Sequence, residues 1–339
     1  KNVKKPFKGI AILGNSVALG YPLTHQGDYI NTFVNLIEKK LIDKDEQIDI
    51  VNLSNHGFNS WQENIQLAKY YNSEKNHIDL PEIKFVASLG GIQDFWGFLK
   101  FLTKIDSYGN NFQEFNDFHQ ANGLMNIKSI EQENLLSSFD KSSRGNILSS
   151  LNIFSQSLVQ NVKENSFSYG YLVKFFGKKD KANNNYNFGN DFQNSVSNSL
   201  PELISTKLKI TNKEYLLKKN IVIDSVLRNI KSMMALNENN LFLFVYLPTK
   251  FGHASEQFDI EKRYKYGNLN VADLYLLEKD YRNSLIERLS EINNLNLFDL
   301  SSKGNHDWFH DESHYSAKGH KEVAKLLLPI FEQVLKKQS

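Results

Sequence analysis

GIAILGNSVALG, residues 9–20, joins a short apolar run to a turn that contains a serine. Gly9–Leu13 has the length and the apolar, β-branched character of a buried parallel strand. Ser16 follows it, so we expect this serine at the carboxyl end of a strand and near the start of a helix. Open α/β sheets bind ligands at that edge, and the N–H groups at a helix start can stabilise a developing oxyanion. By itself the segment is also typical of a simple turn or helix N-cap.

Four further runs of the same kind follow along the chain, with helical patterns between several of them. They are Ile48–Leu53, Lys84–Leu89, Leu241–Leu247 and Leu295–Leu300. Strands that alternate with helices predict a parallel sheet covered by helices on both faces. The last helix is expected after Ser316, a candidate N-cap, because apolar residues recur at helical spacing from Val323 onward. The chain is therefore predicted to have an α/β fold with a five-stranded parallel sheet.

Residues 100–219 break this rhythm. The segment is rich in Asn, Ser and Phe and contains polar tracts such as Lys181–Asn187. We interpret it as a long, partly helical insertion between the third and fourth strands of a single domain that spans residues 1–339. A lid over an active site and a surface elaboration without a catalytic role are both consistent with such an insertion.

Composition excludes several classes of function. A formal net charge of +2 is too small to indicate nucleic acid or an anionic membrane as the main partner. The chain contains no cysteine, which excludes disulfides, cysteine-ligated zinc and a cysteine nucleophile. The most apolar run, Leu241–Leu247, is far shorter than the roughly 20 residues that a membrane-spanning helix needs. The sequence begins at Lys1 rather than at methionine, and a signal or anchor that preceded Lys1 would place the protein in the cell envelope or outside the cytoplasm.

A second group of reactive side chains lies near the C-terminus, in Asp311-Glu312-Ser313-His314. A nucleophilic serine needs a base, and the base needs a group that orients it. An aspartate three residues before a histidine, in a turn that precedes a helix, can hold one imidazole nitrogen while the other faces the serine. A polar surface loop with a capping aspartate is the alternative interpretation.

The same loop also has a spacing that suits a metal. His306, His310 and His314 recur every four residues, and on a helix their imidazoles would share a face and could bind zinc. Gly304 and Asn305 indicate a loop rather than a helix, which argues against this site. We therefore expect no metal.

Two more strand ends carry groups that could bind an oxyanion. Gly57 follows the second strand, and a residue without a Cβ can turn sharply and point its N–H at a ligand. Gln93, within Gly90-Gly91-Ile92-Gln93-Asp94, follows the third strand and would present a side-chain amide at the same edge of the sheet. Each segment is also consistent with a tight strand-to-helix turn, but the convergence of all four segments at one edge points to a hydrolytic site.

In these four segments the chain resembles the SGNH/GDSL hydrolases. That family carries a GDS block after the first strand, a glycine after the second, a G-x-N-D block after the third and D-x-x-H near the end. The corresponding residues here are Gly14-Asn15-Ser16, Gly57, Gly91-Ile92-Gln93-Asp94 and Asp311–His314. Tyr315–His320 also resembles the glycine-containing opening of the family's last helix. The resemblance covers residues 9–100 and 220–335, so the insertion lies outside it.

The resemblance implies a three-layer α/β/α, flavodoxin-like sandwich that hydrolyses carboxylic esters, often acetyl groups on carbohydrates. It implies Ser16 as nucleophile, His314 as base and Asp311 as the group that orients the base. The N–H groups of Ser16 and Gly57 and the amide of Gln93 would bind the oxyanion. Such an enzyme takes a small-molecule or carbohydrate ester as substrate and needs no metal or organic cofactor.

The chain departs from the family at two positions. Asn15 stands where the family usually has an aspartate of mostly structural role. Gln93 stands where the family has its oxyanion asparagine, and its extra methylene can move the amide by more than 1 Å, on the order of a C–C bond. Phe95 and Trp96 follow this block and are expected to line the acyl or sugar site. Two alternatives stay open: an O-acyltransferase that acts on a polysaccharide, and a non-catalytic binding or envelope-assembly module with a degenerate site.

Overall fold

The computed structural model describes residues 8–43, 48–74, 80–103, 200–237, 241–250, 266, 268–311 and 313–336. The strands are β1 (Lys8–Gly14), β2 (Ile48–Asn52), β3 (Glu82–Gly90), β4 (Leu241–Tyr246) and β5 (Leu295–Asp299). The helices are α1 (Ser16–Leu19), α2 (Phe33–Ile42), α3 (Ser60–Glu74), α4 (Ile92–Thr103), α5 (Leu200–Thr206), α6 (Asn212–Leu236), α7 (Val271–Ser290) and α8 (Ala317–Leu335). All five predicted strands are confirmed, with ends that differ by one or two residues.

The strands form one parallel sheet in the order β2-β1-β3-β4-β5. The chain places β2 on one side of β1 and then crosses back to place β3 on the other side. This is the flavodoxin-like strand order, and its switch point lies at the carboxyl ends of β1 and β3. The segments that follow β1, β2 and β3 therefore emerge side by side at one edge of the sheet. The predicted α/β sandwich is confirmed.

Both faces of the sheet are buried by helices. Side chains alternate along β1, so that Ile10 and Ile12 face one layer, whereas Ala11 and Leu13 face the other. The first layer comprises α1, α2 and α8, and the second comprises α3, α4, α6 and α7. Because both faces are buried, the strands appear in the sequence as continuous apolar runs.

The described part of the predicted insertion is helical and belongs to the core. Leu203, Ile204 and Tyr215 are buried in the second helical layer, and the boundary at residue 219 falls within α6. This helix begins early because the side chain of Thr211 accepts a hydrogen bond from the N–H of Glu214 and caps it. Residues 104–199, on which the lid interpretation depends, lie outside the described residues.

None of the helices in the described ranges is both long enough and apolar enough to cross a membrane.

Candidate active site

Ser16, His314 and Asp311 form one continuous chain of hydrogen bonds. The distance from Ser16 Oγ to His314 Nε2 is 2.7 Å. On the other side of the ring, His314 Nδ1 lies 2.7 Å from Asp311 Oδ2 and 2.9 Å from Asp311 Oδ1. An ionised carboxylate can only accept, so Nδ1 carries the ring proton and Nε2 is left to accept the proton of the serine hydroxyl. The structure thus brings together three residues from opposite ends of the sequence.

The turn after β1 fixes the position of Ser16. Asn15 caps α1, because its Oδ1 accepts the N–H of Val17 at 2.9 Å. Asparagine supplies the same acceptor oxygen as the aspartate usual in the family, so this departure keeps the cap. Gly14 has φ of 154°, and a Cβ there would come within 2.6 Å of Ala18 Cβ and 2.7 Å of the Leu89 carbonyl oxygen. Only glycine fits this close approach of the turn to β3.

The loop before α8 holds the carboxylate and the imidazole in place. Asp311 Oδ1 accepts the backbone N–H groups of Ser313 at 2.9 Å and His314 at 2.8 Å. Burial raises the pKa of Asp311. The hydrogen bond and the charge of His314, together with these two N–H groups, lower it by more, so the pKa of Asp311 lies below its ordinary value. The carboxylate is therefore ionised at neutral pH. Ser316 caps α8 as predicted, with its hydroxyl accepting the N–H of Gly319.

The geometry of this loop does not suit the alternative metal site. The three-histidine pattern requires a helix, but the chain forms a short 3-10 turn at His306–Trp308 and is not helical from Phe309 to Ser316 where it is described. Both ring nitrogens of His314 are engaged by Ser16 and Asp311. Across the described ranges, no three acidic or histidine side chains are grouped so that they could hold a metal ion.

The two candidate oxyanion donors lie in the segments that follow the strands on either side of β1. Gly57 follows β2 and Gln93 is the second residue of α4, directly after β3, and β1 lies between these strands in the sheet. Gly57 has φ of 70°, and an added Cβ would meet nothing within 4 Å, so glycine is needed here for its conformation rather than for space. Gln93 is half-buried. The strand order therefore brings the segments that carry Gly57 and Gln93 to either side of the strand that leads to Ser16.

Phe95 corrects one expectation from the sequence. Its side chain is fully buried and packs against Trp96, Phe98 and Tyr281, so it does not line a surface site. The reason is that α4 is apolar on almost all sides, and Phe95 lies on the side that faces α7. Trp96 is half-buried and packs against Tyr266 as well, with ring centres 5.8 Å apart.

A buried carboxyl pair, Asp94 and Glu63, which the sequence analysis missed, lies next to the segments that carry Gly57 and Gln93. Asp94 accepts the hydroxyl of Ser60 at 2.9 Å and its N–H at 3.3 Å. Glu63 accepts the hydroxyl of Ser88 at 2.6 Å. Asn229 completes the network by donating to the Ser60 hydroxyl at 2.9 Å. These bonds connect the start of α3, just after Gly57, to the end of β3 and the start of α4, where Gln93 lies.

Burial dominates the ionisation of this pair. Burial is the main reason that the pKa of Glu63 is raised to about 8. The hydrogen bond from Ser88 lowers this pKa, and the charge of Asp94 raises it. Burial also raises the pKa of Asp94 to about 6, although hydrogen bonds from Ser60 act in the opposite direction. At neutral pH, Glu63 is therefore an uncharged acid and Asp94 is ionised. The one signal in the sequence was a serine, Ser88, in the apolar run that follows Lys84 in β3.

Several proteins of solved structure are similar to this chain. One is a member of the lipolytic G-D-S-L family from Veillonella parvula, at 10% identity and a TM-score of 0.42, covering 96% of this chain and 98% of that one. A lipase from a goat rumen metagenome has 11% identity and a TM-score of 0.43, with 94% and 95% coverage. An acetyl xylan esterase from Butyrivibrio proteoclasticus has 11% identity and a TM-score of 0.42, covering 99% of this chain and 66% of that one. No family model and no curated protein matches the chain.

Proposed function

We propose that the protein is a serine hydrolase of carboxylic esters with short acyl groups, of the SGNH/GDSL kind. The observation that carries this proposal is the unbroken chain of hydrogen bonds from Ser16 through His314 to Asp311, at 2.7 Å for each link. A nucleophile, a base and a group that orients the base, within hydrogen-bonding reach of one another, are the parts that acyl transfer through serine needs.

The first half of the reaction forms an acyl-enzyme. Ser16 Oγ attacks the ester carbonyl carbon while its proton moves to His314 Nε2. Asp311 stabilises the imidazolium that results, and it stays ionised because the two backbone N–H groups and His314 lower its pKa. When the tetrahedral intermediate collapses, the ester C–O bond breaks and the leaving alcohol takes the proton from Nε2.

The second half releases the acid. Water gives a proton to His314 Nε2 as it attacks the acyl carbon, and the bond to Ser16 Oγ then breaks while the proton returns to the serine. In both halves the negative charge on the carbonyl oxygen would be bound by the N–H groups of Ser16 and Gly57 and by the amide of Gln93. The strand order β2-β1-β3 supports this assignment because Gly57 and Gln93 follow the two strands that neighbour β1.

A serine-directed fluorophosphonate tests the proposal. We expect one covalent adduct, on Ser16, mapped by mass spectrometry, and we expect none on the Ser16→Ala variant. Ser290→Ala, a change at the far end of α7, is the matched control and should label like the wild type. Hydrolysis of 4-nitrophenyl acetate should survive EDTA. Absence of any adduct, or an adduct on another serine that persists in Ser16→Ala, would contradict the assignment.

Acyl length is expected to affect the rate strongly. The sequence contains no continuous apolar stripe that would line a long acyl channel, so extra methylene groups should gain no burial. We expect kcat/KM to fall from acetyl to butyryl to octanoyl 4-nitrophenyl esters, by roughly tenfold over the series. A clear optimum at eight carbons or more would refute the short-acyl assignment.

Replacement of Gln93 should affect the chemical step and not binding. If its amide binds the oxyanion, Gln93→Ala should lower kcat by up to about a hundredfold and leave KM nearly unchanged, because the bond strengthens only as charge develops. The estimate is at the low end for such donors, since a glutamine loses more rotamer freedom than an asparagine. Gln333→Ala, an exposed glutamine near the end of α8, is the matched control.

Gln93→Asn distinguishes two states of the pocket. A rise in kcat would mean that the pocket still suits the shorter family residue, and a fall would mean that it has reshaped around glutamine. Unchanged kcat in both Gln93 variants, in an enzyme that requires Ser16, would show that Gln93 is not a donor.

A further inference from the structure

Three rings that the triad does not use lie close together, and one of them contacts the ring of His314. They belong to Tyr21, His25 and His56, and we call them the three-ring cluster. The ring centre of Tyr21 lies 4.6 Å from that of His314, at an interplanar angle of 65°. Tyr21 is 5.5 Å from both His25 and His56, and these two are 6.1 Å apart, all edge-to-face. The cluster therefore borders the catalytic imidazole directly.

The cluster is assembled from two separate segments and is open to solvent. Tyr21 and His25 lie between α1 and α2, whereas His56 lies in the loop after β2 and directly precedes Gly57. His25 and His56 are exposed, and Tyr21 is half-buried. Among the described residues, none bonds to the Tyr21 hydroxyl or to the imidazole nitrogens of His25 and His56. Because the two imidazoles are exposed and these polar atoms have no partner in the described part of the protein, a ligand can bind them without breaking an internal hydrogen bond.

Desolvation first, and nearby charges second, keep Tyr21 and His56 neutral. The surrounding protein partly desolvates the His56 ring and so lowers its pKa below the ordinary 6.5, and the charges of His25 and His314 lower it further. Burial raises the pKa of Tyr21, and the charge of Asp311 raises it further. At neutral pH His56 therefore has one donor and one acceptor nitrogen, and Tyr21 retains its hydroxyl proton. Such groups suit hydroxyls, which also donate and accept, whereas carboxylates and phosphates are bound best by cations.

We propose that the three-ring cluster is the subsite for the leaving alcohol, and that it favours an uncharged alcohol that carries several hydroxyl groups. This inference rests on the proposed esterase function, in which the ester C–O bond breaks and the alcohol oxygen takes the proton held on His314 Nε2. That oxygen must come within hydrogen-bonding distance of Nε2, so the rest of the alcohol lies next to Tyr21. The Tyr21 ring supplies an apolar face, and His25 and His56 supply hydrogen bonds to hydroxyl groups.

Two acetate esters of primary alcohols test the subsite: methyl 6-O-acetyl-α-D-glucopyranoside and cyclohexylmethyl acetate. They share the acyl group and have six-membered rings, but only the first carries ring hydroxyls. The wild type should hydrolyse the glucoside ester with the higher kcat/KM. His25→Ala and His56→Ala should each lower kcat/KM for the glucoside ester by about three- to tenfold, the value of one hydrogen bond, and leave the cyclohexylmethyl ester within twofold. His310→Ala, an exposed histidine outside the cluster, should change neither.

The outcomes separate the subsite from the esterase itself. Three results would overturn the subsite while leaving Ser16-dependent hydrolysis in place. The first is an equal loss of kcat/KM on both esters in the His25→Ala and His56→Ala variants, and the second is an unchanged kcat/KM on both. The third is a wild-type preference for the cyclohexylmethyl ester. If Ser16→Ala hydrolyses both esters as well as the wild type, the esterase assignment fails and the subsite fails with it.

Discussion

Asp311→Asn is expected to lower kcat for ester hydrolysis about 10⁴-fold with little change in KM. Asp311 accepts three N–H groups, from Nδ1 of His314 and from the backbone of Ser313 and His314. An amide oxygen can still accept the backbone N–H groups, so the loop should keep its shape. The NH2 group would then face Nδ1 and favour the tautomer that carries its proton on Nε2. In that tautomer Nε2 cannot accept the proton of Ser16.

Asp307→Asn is the matched control for this change. Asp307 is an exposed carboxylate of the same loop and pairs with Lys318, so its loss removes the same charge without touching the imidazole. The control should stay within twofold of the wild type. Because the triad acts as a unit, Ser16→Ala alone should cost about 10⁶-fold, and addition of Asp311→Asn should cost nothing more. An Asp311→Asn variant within tenfold of the wild type would contradict the assigned role.

The sheet and the order of the candidate site segments could be predicted because both depend on local sequence. A strand buried on both faces appears as an uninterrupted apolar run, and Ser16 is adjacent to such a run. The pairing of Asp311 with His314 is also local, since three residues separate them. Strand order then determines which of these segments become neighbours, and parallel strands bring their carboxyl ends to one edge.

The features that the sequence did not reveal depend on packing between distant segments. Glu63 lies on α3, and in the sequence it looks like an ordinary solvent-facing glutamate of a helix. In the fold it is buried against β3, where it accepts a hydrogen bond from Ser88. Phe95 was misassigned because α4 is apolar on almost all sides, so its pattern does not show which face meets α7. The three-ring cluster exists only because the segments after β1 and β2 meet at the sheet edge, and no spacing in the sequence connects Tyr21 to His56.

Glu63→Gln is expected to remove a large pH dependence from the stability of the fold. The pKa of Glu63 is raised to about 8, chiefly by burial, from an ordinary value of 4.5. Between these values the folded state binds a proton that the unfolded state has lost. The stability that this proton contributes is fully present below pH 4.5 and is lost as the pH rises through 8. From pH 4.5 to pH 7 the loss amounts to roughly 3 kcal/mol.

Glutamine stays neutral in both states, so the variant lacks this loss. Its amide oxygen can accept the Ser88 hydroxyl, but its second N–H needs an acceptor, and we expect the variant to be about 1 kcal/mol less stable than the wild type at pH 4.5. The difference should reverse as the pH rises, until at pH 7 the variant is the more stable protein by roughly 2 kcal/mol. Urea unfolding of both proteins at several pH values between 4.5 and 8 measures this crossover.

The other titrating groups cancel or can be controlled. His320, whose pKa burial lowers to about 4, contributes stability that is present above pH 6.5 and lost as the pH falls. This contribution of His320 is the same in the wild type and in Glu63→Gln, so it cancels in the difference between their free energies of unfolding. Glu82→Gln removes an exposed carboxylate and controls for the loss of one charge. A Glu63→Gln difference that does not vary with pH would mean that Glu63 is ionised within the fold at neutral pH. In that case the network next to the Gly57 and Gln93 segments would hold two buried carboxylate charges, on Glu63 and Asp94, rather than one.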